Sequence, residues 1–159
     1  MDLTDINENI NDNKFKFKYL LNIMDHHSKL CGSYLLETKN AEEIYKNLCD
    51  FISHYGPPKL LQYDIGKEFS NSLINQFCKD LNIKLVHSRP RPPQKNGAIE
   101  RLHWEIKKVL LIDKLTKKEN YNIKIAIINV VFSHNNTTNR TTKYKPIELF
   151  YNKDDIILN

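Results

Sequence analysis

Apolar and polar positions recur with clear periods along most of this chain. Phe15–Asp25 begins as an alternating stretch and becomes continuously apolar, which is typical of a strand entering a sheet. Leu30–Leu36 predicts a second strand after a polar turn, and a short strand is predicted around Leu3. The first two segments together predict a β-hairpin.

The next segment has helical spacing. Apolar residues recur every three or four positions over Ala41–Tyr55, and Gly56 with two following prolines predicts the end of the helix. Asn40 is the predicted N-cap. Glu43, three residues later, predicts a capping box in which each side chain binds the other's backbone amide.

Shorter elements follow in alternation. Lys59–Tyr63 predicts a buried strand, Leu73–Leu81 an amphipathic helix and Lys84–His87 a fifth strand. Residues 88–96 contain three prolines and are incompatible with a helix or a central strand, whereas helical spacing resumes directly after Gly97.

The last third of the chain is more ambiguous. Ile123–Phe132 is rich in β-branched residues and suits a strand as well as a buried helix. We prefer the helix, mainly because of the family resemblance given below. We interpret three Asn residues near the end of this region as loop residues: Asn135, Asn136 and Asn139. They reflect a compositional bias, since Asn accounts for 19 of 159 residues.

This order of elements predicts an α/β fold with a five-stranded mixed sheet flanked by helices. A length of 159 residues with 40% apolar composition favours a single domain over 1–159, with its core over about 1–115 and a C-terminal helix and tail over 120–159. The three cysteines, Cys31, Cys49 and Cys78, have no CxxC spacing, and two of them fall on apolar positions of helical patterns, as buried free thiols do. No apolar stretch reaches the roughly 20 residues that span a bilayer, and the N-terminus is polar, so we expect an intracellular protein without a membrane partner.

Charge is distributed unevenly along the chain. The net charge is +5, but Lys84–Lys118 alone holds ten Lys/Arg against three Asp/Glu, which gives +7 there and −2 elsewhere. A clustered basic surface is what a polyphosphate partner requires, because neutralising phosphates releases counterions. A basic face kept for solubility explains the charge equally well.

Three carboxylates stand where a site would form. Asp64 follows a buried strand, Glu100 lies in the first turn of a helix, and Asp2 begins an extended segment that would lie beside Asp64 if the two strands pair. Converging carboxylates repel unless cations bind between them, and such hard oxygen ligands select Mg²⁺ or Mn²⁺. Taken singly, each has a simpler explanation as a helix-dipole partner, a turn cap or a terminal residue.

The spacing of these acids resembles one family. Thirty-five residues separate Asp64 from Glu100, Asp64 to Phe69 reads Asp-x-Gly-x-x-Phe, and Pro90 to Arg101 reads Pro-x-x-Pro-Gln-x-x-Gly-x-x-Glu-Arg. These motifs are similar to those of retroviral and retrotransposon (Ty3/gypsy-like) integrase catalytic cores. Residues 2–4, 23–29 and 135–155 resemble segments of the same cores. The resemblance covers nearly the whole chain.

The resemblance implies a ribonuclease-H-like fold and two-metal strand transfer that inserts retroelement DNA into target DNA, with Asp2, Asp64 and Glu100 as catalytic metal ligands. It implies action in the nucleus and a homodimer. The implied nucleic-acid-binding residues are Lys67, Gln94, Lys95, Asn96, Arg101, His103 and Lys107. Trp104 follows Glu100 by one helical turn and either stacks on a base or sugar or packs in a core or subunit contact.

Some positions depart from the family pattern. Ile65 replaces the usual Asn after the second acid, and His103 stands where Asn is common. Asp2 is the second residue, and the family's zinc-binding and C-terminal modules are not recognisable, which suggests a core-only fragment or truncated copy. The alternative function is therefore an inactive remnant that binds nucleic acid or dimerises; a ribonuclease on the same fold is a third reading.

Overall fold

The computed structural model describes residues 1–6, 16–63, 69–87, 97–116 and 122–152, with side chains in the third helix described over 101–111. Strands in these ranges are β1 (Asp2–Asp5), β2 (Tyr19–Met24), β3 (Cys31–Leu36), β4 (Leu60–Tyr63) and β5 (Lys84–His87). Helices are α1 (Ala41–Tyr55), α2 (Ser72–Asp80), α3 (Gly97–Thr116), α4 (Ile123–Asn136) and α5 (Pro146–Tyr151). None of these helices combines the length and apolarity that a membrane crossing demands.

The chain forms two compact units. The first contains Met1–Asn22 and Tyr34–Gly97, and the second contains Ile23–Ser33 and Ala98–Asn159. The first unit therefore holds β1, β4, β5, α1 and α2, whereas the second holds the hairpin turn with α3, α4 and α5. The prediction of a single domain is not tested by this division and stays a prediction.

All five predicted strands are present, but they form two sheets. One sheet has the order β1-β2-β3, with β1 antiparallel to β2 in a register that runs from Asp2 opposite Asn22 to Asp5 opposite Tyr19. The other contains β4 and β5 in parallel. The single five-stranded sheet that we expected is thus not what is assigned in the described ranges. β1 and β4 are each four residues long, which leaves few consecutive pairs for a ladder.

The core of the first unit contains buried apolar side chains of β2, α1 and α2. Leu20, Leu21, Ile44, Leu48 and Ile74 are essentially inaccessible to solvent. The two helices also contact each other edge to face through the Tyr45 and Phe77 rings, whose centroids are 5.1 Å apart. The apolar periodicity of both helices predicted this packing.

The start of α1 corrects one expectation. The Asn40 side chain accepts from the Glu43 amide at 2.8 Å, as a capping box requires. Glu43 does not complete the box, because its carboxylate accepts instead from the Glu37 and Thr38 amides at 2.8 and 2.9 Å. Partial burial acts to raise the pKa of Glu43, but these hydrogen bonds and the nearby Lys16 outweigh it and lower the pKa. The Glu43 carboxylate therefore anchors the segment between β3 and α1.

The hairpin turn in the second unit is held by a carboxylate. Asp25 accepts from both the amide and the hydroxyl of Ser28, at 2.7 and 2.6 Å, and Lys29 adopts a positive φ of 67°. Ser28 is buried and its hydroxyl also accepts from the Leu30 amide at 3.2 Å. The Asp25 carboxylate therefore stabilises the turn.

The three helices of the second unit bury one apolar side each. Leu102, Ile106 and Leu110 of α3 are 3% exposed or less, and Ile127 of α4 and Leu149 of α5 are buried as well. The helical interpretation of Ile123–Phe132 is confirmed, since this segment lies within α4.

Asn135 is not the loop residue that we expected. It lies in the last turn of α4, is 7% exposed, and pairs with the backbone of Cys31. Its Oδ1 accepts from the Cys31 amide at 3.0 Å and its Nδ2 donates to the Cys31 carbonyl at 2.8 Å. The amide side chain thus occupies the place of a neighbouring strand at the start of β3.

Replacing Asn135 with Ala should leave a buried amide and a buried carbonyl without partners. Each such group costs about 1–3 kcal/mol, so we expect the free energy of unfolding to fall by about 2–6 kcal/mol in urea denaturation. Asn136→Ala is the matched control, because the Asn136 amide donates to Phe132 O at the surface. Equal losses from the two substitutions would contradict this role for Asn135.

Candidate functional site

The first unit brings the start of β1 beside β4. The amino group of Met1 donates to the carbonyl of Gln62 at 2.5 Å. Asp2 follows Met1 and is half-buried, and Gln62 lies two residues before Asp64. β1 and β4 are not assigned as paired strands in the described ranges, so the strand pairing that would place Asp2 beside Asp64 stays a prediction.

A polar side chain that the sequence analysis missed lies opposite Asp2. Asn22 is fully buried in the middle of β2 and is the residue that pairs with Asp2 across the antiparallel strands. A buried polar group next to a carboxylate position costs free energy unless it is hydrogen-bonded. The signal for this residue in the sequence is a single Asn within the apolar run YLLNIM. Periodicity alone counts this Asn as an interruption of the apolar strand pattern.

β4 and β5 end at a common edge. Their parallel register pairs Tyr63 with His87, and the two rings meet edge to face with centroids 5.2 Å apart. Tyr63 also contacts the buried ring of Phe69 at 5.7 Å, so the last residue of β4 is packed on two sides. His87 is exposed at this edge and is a second residue that sequence reasoning did not select.

Several of the predicted site residues lie outside the described residues: Asp64, Lys67, Gln94, Lys95 and Asn96. The structure describes the strand that leads into Asp64 but not Asp64 itself. Glu100 is described as a helical residue in the first turn of α3, without its side chain. Asp2 belongs to the first unit and Glu100 to the second, so convergence of the three acids stays a prediction.

One side of α3 carries exposed basic and aromatic side chains. Arg101, Trp104, Lys107 and Lys108 are exposed, whereas Leu102 and its buried neighbours face the core. Helical spacing sets Trp104 and Lys107 one and two turns after the position of Glu100. His103 is half-buried. We call this exposed set, Arg101, Trp104, Lys107 and Lys108, the α3 basic face.

Charges on the α3 basic face are only partly compensated. Arg101 Nε lies 3.7 Å from the Glu105 carboxylate, a pair with both partners partly exposed and therefore weak. Lys108 Nζ lies 5.2 Å from the centroid of the Trp104 ring. Among the described side chains of α3, Glu105 is the acidic one, so the described positive charges of the α3 basic face outnumber the negative charges.

Cys31 and Cys78 do not resemble nucleophiles. All three cysteines are free, and burial, followed by the negative charge of Glu105, raises the pKa of Cys31 to about 12. Burial also raises the pKa of Cys78. Within the described part of the chain, no group of three or more His, Cys, Asp or Glu side chains is placed to hold a metal ion.

Several known proteins are similar to this chain in sequence or in structure. The family model of the integrase core domain matches residues 1–93. A retrovirus-related Pol polyprotein from transposon 412 of Drosophila melanogaster is 27% identical over 137 residues, which are 86% of this chain and 11% of the polyprotein. The chain thus spans about a tenth of that relative's length.

Two solved structures have the same fold. The catalytic core domain of BIV integrase superimposes with a TM-score of 0.73 at 18% identity, covering 99% of this chain and 97% of that one. The catalytic core domain of HTLV-2 integrase in complex with magnesium gives 0.70 at 20% identity, covering 87% and 88%. More than half of this chain matches the family model and nearly all of it the fold, so the chain belongs to the integrase core domain family and has its ribonuclease-H-like fold.

Proposed function

We propose that this chain is the catalytic core of a retroelement integrase, which transfers DNA strands with the help of divalent metal ions. The observation that carries the proposal is the bond from Met1 to Gln62, because it brings the residue before Asp2 into contact with β4, the strand that leads into Asp64. This contact within the first unit supports a shared acidic site of Asp2 and Asp64, and Glu100 is proposed as the third acid from the family pattern. Family membership supports the same reaction class.

Asp2, Asp64 and Glu100 are the proposed metal ligands. Carboxylate oxygens are the hard donors that Mg²⁺ and Mn²⁺ prefer, so this donor set fits either ion. A pair of such ions would supply activation of the attacking hydroxyl and stabilisation of the leaving oxygen. The protein itself contributes the three carboxylates, and no residue acts as a covalent nucleophile.

DNA is the proposed substrate. Water would attack when a DNA 3′ end is trimmed, and that 3′-hydroxyl would attack when the end is joined to target DNA. Arg101, His103 and Lys107 on α3, with Lys67 and residues 94–96, are proposed to bind the phosphates. Since chromosomal DNA would be the target, we propose that the protein acts in the nucleus.

We also propose a homodimer that forms through α4. Ile125, Ile128 and Phe132 are 55%, 62% and 67% exposed, and their i, i+3, i+7 spacing sets them along one stripe of the helix. A twofold interface requires one self-complementary patch, and an apolar stripe on a straight helix meets that requirement.

The second candidate function is an inactive nucleic-acid-binding or dimerising remnant of an integrase core. It is favoured by the assignment of two separate sheets, because a site built on strand ends depends on how well the strands are aligned. Both candidates retain the α3 basic face, so activity distinguishes them better than DNA binding does.

Asp2→Asn, Asp64→Asn and Glu100→Gln should each lower Mn²⁺-dependent strand transfer and disintegration by about 100-fold or more, because each removes a negative ligand that supports transition-state charge. Asp80→Asn at the exposed end of α2 is the matched control and should keep parental activity. A folded parent without activity, but with salt-sensitive DNA binding, would favour the remnant.

Lys107→Ala should weaken duplex DNA binding at low salt and reduce the slope of log K against log salt by about 1, since one phosphate contact is lost. The comparison is Lys46→Ala on α1, which removes the same charge outside the basic segment. Fluorescence anisotropy over a salt series measures both. An unchanged slope for Lys107→Ala would remove this residue from the proposed DNA contact.

Phe132→Lys should shift the proposed dimer toward monomer by at least about tenfold in dissociation constant, because it buries a charge in an apolar contact. Sedimentation velocity at several protein concentrations measures this shift. Tyr144→Lys, at an exposed ring outside the α4 stripe, should leave the association unchanged. A parent that stays monomeric, or a Phe132→Lys variant that associates like the parent, would contradict a dimer through α4.

A further inference from the structure

Trp104 is the single Trp of the chain and lies largely in solvent. It is 62% exposed, although it sits on a helix that buries Leu102 and Ile106 on its other side. The structure therefore excludes the core position that a lone Trp usually takes. The ring is therefore available to a ligand, and whether it serves as a binding surface depends on the groups around it.

The surroundings of Trp104 are cationic. Lys108 Nζ lies 5.2 Å from the ring centroid, within the range of a cation–π contact that favours one orientation of the indole. Lys107 is exposed on the same face, and Glu105, the acid among the described side chains of the helix, pairs with Arg101. A flat ring beside ammonium groups suits a nucleotide, because the base stacks on the ring while its phosphate binds the cation.

A protein–protein contact fits these surroundings less well than a nucleotide does. The exposed apolar residues of α4 form a stripe, whereas Trp104 is flanked by Arg101, Lys107 and Lys108, so the charge complementarity of this face is with an anion. In a second copy of this chain the same cations would meet each other across a twofold axis. A polyphosphate strand meets no such repulsion.

We propose that Trp104 is a stacking platform for an unpaired base at the end of a DNA strand. Inside a duplex the faces of each base are covered by its neighbours, so a base in a single-stranded end offers its faces to an indole far more readily than a paired base does. Glu100 precedes Trp104 by four residues, an axial rise of about 6 Å. The proposal rests on the proposed function of this chain and adds a preference for DNA ends with unpaired nucleotides.

The single Trp makes its own emission the direct probe. Two DNA duplexes of equal length, one blunt and one with a two-nucleotide single-stranded overhang, are titrated into the full chain while intrinsic fluorescence is recorded. Stacking should quench the indole strongly with the overhang duplex and weakly with the blunt one. Anisotropy of labelled DNA, measured in parallel, reports binding independently of the Trp.

Substitutions separate stacking from charge. Trp104→Leu should reduce affinity for the overhang duplex by about 5- to 150-fold, the usual loss per stacked base, and leave the blunt duplex and the salt slope unchanged. Trp104→Phe should recover most of the preference because an aromatic face is restored. Tyr151→Leu removes an equally exposed ring on α5 and should keep the preference.

Failure of stacking and failure of the proposed function give different results. If the overhang duplex binds by anisotropy without quenching the Trp, or if Trp104→Leu keeps the overhang preference, the stacking proposal is overturned while duplex binding and strand transfer stand. If Trp104→Leu instead lowers self-association in sedimentation and keeps the preference, the ring is a subunit contact. If the parent chain binds neither duplex at low salt, the proposed function is contradicted, and the stacking proposal that rests on it is contradicted as well.

Discussion

Burial of the central strand β2 is the constraint on which the described structure depends. Leu20, Leu21, Asn22 and Ile23 are all 3% exposed or less, β1 pairs on one side of this strand and β3 lies on the other. β2 also passes from the first compact unit to the second between Asn22 and Ile23. Its pairing with β1 sets the position of Asp2. The geometry of the proposed site therefore depends on β2, although β2 contributes none of the proposed metal ligands.

Polar side chains complete what apolar packing leaves open. Asn135 pairs with the backbone of Cys31, Asp25 holds the hairpin turn, and Glu43 binds amides between β3 and α1. Each of these groups satisfies backbone atoms that a short strand or a turn cannot satisfy within itself. They explain why several Asn and acidic residues of this chain belong to its architecture and not to its chemistry.

The α3 basic face links fold and proposed function. Its buried side, with Leu102, Ile106 and Leu110, fixes the helix in the second unit, and this leaves Arg101, Trp104 and the two lysines in solvent. Cations so arranged supply affinity for phosphate without sequence preference, whereas an aromatic ring can distinguish paired from unpaired bases. Affinity and substrate choice would then reside in neighbouring residues of one helix.

Local periodicity was sufficient to predict the five strands and the first three helices, because these follow from residue spacing, whereas it left Ile123–Phe132 open between strand and helix and did not predict α5. The sequence motifs around Asp64 and Glu100 likewise predicted the family. Sequence alone did not reveal that five short strands are assigned to two sheets, that Glu43 binds Glu37 and Thr38, or that Asn135 serves β3, since these depend on contacts between residues distant in the chain or on the path of a connecting segment. The exposure of Trp104 was also undecidable from spacing, because a helical period shows which residues share a face but not which face the rest of the protein covers.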